Sequence, residues 1–138
     1  MRILRSVAAI AVGLGLMAAT VRTGTLVASG LIGGGPEAGN PSAMAMATYV
    51  YVNLAICGIG AILGGWLAAR VASFAPYRHA AVMAAIVAVL SITTVTGAPA
   101  PSQPGWYPSA LGLVAVLGVL LGGKLRAAAA SAAGPVVA

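Results

Sequence analysis

The sequence predicts an all-α integral membrane protein folded as a four-helix bundle, and three observations predict it. The composition is 61% hydrophobic and 6% charged over 138 residues, with a mean hydropathy of +1.06. That leaves too little polar surface to cover a globule in water. The apolar residues gather in four stretches, each near the roughly 20 residues that cross a bilayer as a helix. Segments rich in Gly and Pro separate them, and nowhere does polar alternate with apolar at period two. The strands of a membrane barrel, about ten residues each, would need that alternation.

The first span covers about residues 6–32 and opens after Arg2 and Arg5. Those arginines, an apolar run over residues 7–19 and the small pair Ala18 and Ala19 also fit a cleaved secretory signal. Cleavage near Thr20 would leave three spans and an amino terminus outside. Turn formers in GGGPEAGNPS, residues 33–42, end the stretch. The second span covers about 43–69, with Asn40 and Pro41 as its expected start, because a Pro at the first helical position gives up only an amide that lacks a partner. After ASFAPYR, residues 72–78, the third span covers about 79–97. After GAPAPSQPGWYP, residues 97–108, the fourth covers about 108–123 and starts at Pro108 and Ser109. Residues 1–126 thus form one four-span domain. Residues 127–138, AAAASAAGPVVA, form a low-complexity Ala-rich tail that extends the last helix and frays at Gly134 and Pro135.

Charge sets the expected orientation. Of the seven basic residues, Arg2 and Arg5 precede the first span, Arg70 and Arg78 flank the second loop, and Lys124 and Arg126 follow the fourth span. The first and third loops carry neither Lys nor Arg, so the positive-inside rule predicts both termini in the cytoplasm. Tyr49, Tyr51, Trp106 and Tyr107 are expected at the outer headgroups, and Trp66, Phe74 and Tyr77 at the inner ones. A net charge of +6 could suggest nucleic acid, but the charges are dispersed and no aromatic and basic groove accompanies them.

The chain is poor in reactive groups, with one acid, Glu37, one His and one Cys. Paired carboxylates are impossible in one copy, and His79, beside Arg78 at the inner boundary, lies far in depth from Glu37. His79 therefore reads as an interfacial residue. Cys57 reads as a small packing residue within an apolar run. No Walker-type loop, paired cysteines or His cluster is present, and GGG at residues 33–35 lacks the basic partner of a phosphate cradle. The spans hold no carboxylate, which argues against a proton-coupled small multidrug antiporter. No catalytic residue, cofactor or metal is expected.

Small residues recur at the four-residue spacing that lets helices approach in lipid: Gly60 and Gly64 in the second span, Gly118 and Gly122 in the fourth. GAILGGWLAAR and GVLLGGKLRAA, which begin at Gly60 and Gly118, match at Gly, Leu, Gly, Gly, Leu and Ala. That match suggests a parallel repeat of two helical hairpins about an axis along the membrane normal.

Arg22 is the basic residue that the orientation does not absorb. It lies 17 residues beyond Arg5, or about 25 Å along a helix in a hydrocarbon core of about 30 Å. Asn53, Thr93, Thr94 and Tyr107 reach the same depth, and Thr25 and Ser29 share its helical face. In one reading Arg22 snorkels to the outer headgroups or pairs with Glu37. In the other, these residues line an outward-facing polar vestibule where Arg22 receives an anionic group such as a lipid phosphate.

The stretch GGWLAAR and the run from PGWYPSALG to LLGGKLR resemble those of small four-span bacterial inner-membrane proteins without an assigned activity. The resemblance covers the second and fourth spans. It implies a helical fold in the bacterial plasma membrane and transfers no catalytic residue. The expected function is non-enzymatic, exercised through helix–helix contacts as an accessory subunit, an assembly factor or a homo-oligomer. The alternative is a small transporter or channel component built on the vestibule. The partners implied are the bilayer, an anionic lipid, and further copies of the chain or another membrane subunit.

Overall fold

The computed structural model describes residues 2–35, 39–72, 75–95 and 103–132. They form four helices, α1 (Arg2–Ile32), α2 (Ala43–Ala72), α3 (Pro76–Val95) and α4 (Tyr107–Ala132), packed as an all-α bundle. Three of them, α1, α2 and α4, are long and apolar enough to cross a membrane, and α3 is apolar over the shorter stretch Tyr77–Thr93.

Local chemistry sets the helix ends. α1 runs unbroken through Arg22 and stops at Gly33, whose φ of +67° suits a residue without a side chain. The Gly33 amide donates to the Ser29 carbonyl at 3.0 Å and closes the last turn. Ser42 caps α2, its hydroxyl accepting the Ala45 amide at 3.1 Å. This corrects the expected start at Asn40 and Pro41, which lie two residues and one residue before the Ser42 cap. α3 begins at Pro76, ahead of the expected 79, because the ring presets a helical φ. Ala75 before it turns the chain with φ 44°, and its carbonyl accepts the Arg78 amide at 3.0 Å. α4 holds Pro108 in its first turn and runs past 123 into the Ala-rich tail, since Ala is the strongest helix former. The expected fraying at Gly134 and Pro135 lies outside the described residues, as does Phe74.

α2 is the central helix and packs against the other three. α1 lies on one side of it, α4 on another, and α3 pairs mainly with α4. This is the pairing that two stacked hairpins give. The matched glycines nevertheless face different neighbours: Gly60 and Gly64 meet α1, whereas Gly118 and Gly122 meet α2.

The interior is built from small and flexible residues. Cys57, Ala61, Ala68, Met83, Ala84, Val87, Ala115 and Val119 form one buried cluster. The large aliphatics point outward, among them Leu26, Leu31, Leu113, Leu117, Leu121 and Leu125. Such an inversion is what lipid favours, because a leucine gains nothing by leaving acyl chains, while small residues let backbones touch. A second cluster joins Met46, Tyr49, Val50 and Tyr107. Tyr49 and Tyr107 are only 2% and 3% exposed, so they are core residues and not headgroup anchors. Tyr51 and Trp106 do lie at the surface, with ring centroids 6.5 Å apart.

At the end where α1 and α3 start, polar contacts tie the helices together. Arg5 Nε of α1 donates to the Val71 carbonyl of α2 at 3.2 Å, and within α2 the Arg70 guanidinium lies 5.1 Å from the centre of the Trp66 ring. His79 is buried instead of interfacial. Its Nε2 is 3.0 Å from the Ser6 hydroxyl and its Nδ1 is 3.1 Å from the Ala75 carbonyl oxygen. Polar links of this kind hold helices where apolar contact gives no preference. Replacing His79 by alanine is expected to lower stability by about 1 kcal/mol. A double-mutant cycle with Ser6→Ala in detergent should show a coupling between the two side chains.

Candidate functional site

The polar residues of the spans meet away from this basic end. Asn53, buried on α2, accepts a hydrogen bond from the Thr25 hydroxyl of α1 at 2.6 Å. Its amide nitrogen donates to the Tyr107 hydroxyl of α4. Three helices are thereby joined by one side chain, since an amide can accept and donate at once. Without these partners Asn53 would leave polar atoms in an apolar interior, at a cost of about 1–3 kcal/mol.

In front of this chain lies a cleft of about 820 Å³. α1 supplies one wall with Leu14, Met17, Ala18, Val21 and Arg22, and Cys57 of α2 forms the floor. The opposite wall comes from Val87, Leu90 and Ser91 of α3 and from Tyr107, Leu111 and Ala115 of α4. Gln103, in the segment before α4, closes the end away from Arg5 and His79. The cleft exists because α1 and α4 do not meet across it. The contacts described between α1 and α3, Ser6 with His79 and Gly13 with Met83, all lie toward the basic end.

The residues singled out from the sequence divide accordingly. Arg22 and Tyr107 line the cleft, Arg22 from an exposed position. Asn53 lies behind Tyr107 and does not line it. Thr93 is exposed on α3, its hydroxyl donating to the Leu90 carbonyl at 2.6 Å, and is no part of the cleft wall. The Thr94 side chain and Glu37 lie outside the described residues, and with them the pairing of Glu37 with Arg22. Ser29 donates to the Leu26 carbonyl at 3.0 Å. Cys57 is buried, its Sγ 3.8 Å from the Leu111 carbonyl oxygen.

The four glycines each sit at a close helix contact. A methyl group on Gly64 would come within 2.7 Å of the Gly13 carbonyl oxygen and 2.9 Å of Met17 Cβ. On Gly60 it would lie 3.0 Å from Val21 Cγ2, and on Gly118 2.7 Å from Ala61 Cβ. On Gly122 it would strike the Ile62 carbonyl oxygen, with the Trp66 nitrogen 2.8 Å away. Sequence reading missed Gly13, whose signal was its spacing of four residues from Ala9, also buried. It also missed Gln103, which sits in a segment read only as a turn.

Among the described residues no group of three or more His, Cys, Asp or Glu side chains could hold a metal ion. Comparison with protein-family models, with curated proteins and with solved structures finds no match to the chain.

Proposed function

We propose that this chain is a non-enzymatic, four-span protein of the bacterial plasma membrane, with both termini in the cytoplasm, that acts through helix–helix contacts. It serves as an accessory subunit, an assembly factor or a homo-oligomer. The observation that carries the reading is the use made of polar groups. Among the described residues, every buried side-chain nitrogen or oxygen has a hydrogen-bond partner. The bonds at Thr25, Asn53, Tyr107, Ser6 and His79 join one helix to another. Gly60, Gly64, Gly118 and Gly122 act in this reading as packing motifs inside the bundle. The outward ridge of Leu113, Leu117, Leu121 and Leu125 on α4 is left for lipid and for neighbouring helices.

A small transporter or channel component is the second reading, supported by the cleft that Arg22 and Tyr107 share. Purification in mild detergent separates the two. Co-elution with one stoichiometric partner, or a defined oligomer inert toward solutes in liposomes, is the result expected for the first. An oligomer that moves solute across liposomes would replace it by the second.

Orientation is tested separately in a Cys57→Ser background. A cysteine introduced by Gln103→Cys should react with an impermeant maleimide in intact cells, and one introduced by Ser131→Cys only after permeabilisation. The reverse pattern would invert the topology.

A further inference from the structure

We propose that the cleft between α1 and the α3–α4 pair is a binding site for an anionic phospholipid, with one acyl chain inside and the phosphate at Arg22. This goes beyond the functional reading above and fails separately from it, because lipid retention reports on the cleft and partner co-elution on lateral contacts.

The shape comes first. At about 820 Å³ the cleft falls in the range of roughly 300–1,000 Å³ typical of small-molecule sites. From Leu14 to Arg22 along α1 it extends eight residues, or about 12 Å at about 1.5 Å per residue. It therefore runs parallel to the helices, as a lipid chain does. Its sides are Leu14, Met17, Val21, Val87, Leu90 and Leu111, which offer an acyl chain apolar contact along its length.

The chemistry at its two ends differs. The deep end, at Leu14 and Ala115, is apolar, whereas the other end carries Arg22 and Gln103 beside the first turn of α4. Among the described residues, Arg22 is the one basic residue lining the cleft, and no carboxylate lines it. A guanidinium is suited to phosphate, which it can hold with two parallel hydrogen bonds. The amino-terminal end of α4 adds a partial positive charge to the same place. Charge complementarity thus fixes which end of an amphiphile lies there.

The opening fixes the source. Ala18 and Arg22 of α1 and Leu90 of α3 line the cleft and are exposed, so the cleft is open between two helices whose outer residues are apolar. A phospholipid reaches it by lateral diffusion, without leaving the leaflet.

Native mass spectrometry of the detergent-solubilised full chain tests the proposal with palmitoyl-oleoyl phosphatidylglycerol, phosphatidylcholine of the same chains, and free palmitate. The expected result is one bound phosphatidylglycerol, retained about tenfold better than phosphatidylcholine and not displaced by palmitate. Arg22→Gln should reduce phosphatidylglycerol retention to the phosphatidylcholine level, and Arg22→Lys should keep most of the preference. Ala18 is exposed and lines the cleft without packing in the core, so Ala18→Trp should block both lipids while the helical circular dichroism stays unchanged. Equal retention of the two lipids, or a preference that survives Arg22→Gln, would overturn the phosphate site. Retention undiminished in a folded Ala18→Trp variant would overturn the chain site. Displacement by palmitate would replace the phospholipid by a free fatty acid. Should Ala18→Trp fail to fold, Ala18→Leu gives the same reading with a smaller expected loss.

Discussion

Replacing Gly122 by leucine is expected to force α2 and α4 apart and to lower stability by about 3 kcal/mol or more, at the upper end of the cost of overpacking. The obstacle is backbone. The first carbon of a side chain at Gly122 meets the Ile62 carbonyl oxygen and the Trp66 nitrogen. Neither can rotate aside as a side chain could, and the helix as a whole must retreat. Gly118 and Gly65 on the same interface would then lose their contacts with Ala61 and Val119. In lipid no hydrophobic force draws the separated helices together again. Gly15 and Gly30 provide the control, since a first side-chain carbon at either meets nothing within 4 Å. Gly15→Leu should leave stability unchanged or raise it by up to about 1 kcal/mol through helix propensity. Unfolding in a graded series of mixed micelles would measure both. Equal effects of the two substitutions would remove the close α2–α4 contact from the account of stability.

Asn53→Leu is the second large effect, at about 2 kcal/mol. The substitution supplies an apolar side chain of similar size but strands two hydroxyls. Thr25 can turn its hydroxyl back to a carbonyl of its own helix, as threonines in membrane helices do. Tyr107 cannot, because its hydroxyl lies at the far side of a ring held among Met46, Tyr49 and Val50. Most of the loss should therefore come from Tyr107. Removing that hydroxyl as well, in Asn53→Leu with Tyr107→Phe, is expected to recover about 1 kcal/mol relative to Asn53→Leu alone. A double variant less stable than Asn53→Leu would show that the Tyr107 hydroxyl contributes elsewhere.

The helices were legible because their cause is local and strong. Hydropathy and Pro and Gly breaks place four apolar segments near where α1 to α4 run, and Pro108 falls in the first turn of α4. What the sequence could not show depends on rotation about each helix axis. Tyr49 and Tyr51 are two residues apart, yet one is buried and the other exposed, and an apolar helix carries little amphipathic signal to say which. His79 was read by its neighbour Arg78 as interfacial, whereas the α3 helix turns it inward to Ser6. For the candidate site, equal depth brought Arg22, Asn53, Thr93 and Tyr107 to one layer. Rotation then decided their roles: Arg22 and Tyr107 face the cleft, Asn53 faces Tyr107 and Thr25, and Thr93 faces outward. The cleft itself could not be read at all, because it arises from the separation of α1 and α4, two helices whose backbones do not approach each other.

The chain of bonds through Asn53 also orders events in time. Thr25 precedes Asn53 by 28 residues and Tyr107 follows it by 54, so on the ribosome the acceptor half of the amide finds its partner long before the donor half does. A nascent α1–α2 hairpin carries an amide group with one hand free, and α4 supplies the missing oxygen when it is delivered. Asn53 thus serves as a latch that α1 and α2 set and α4 closes.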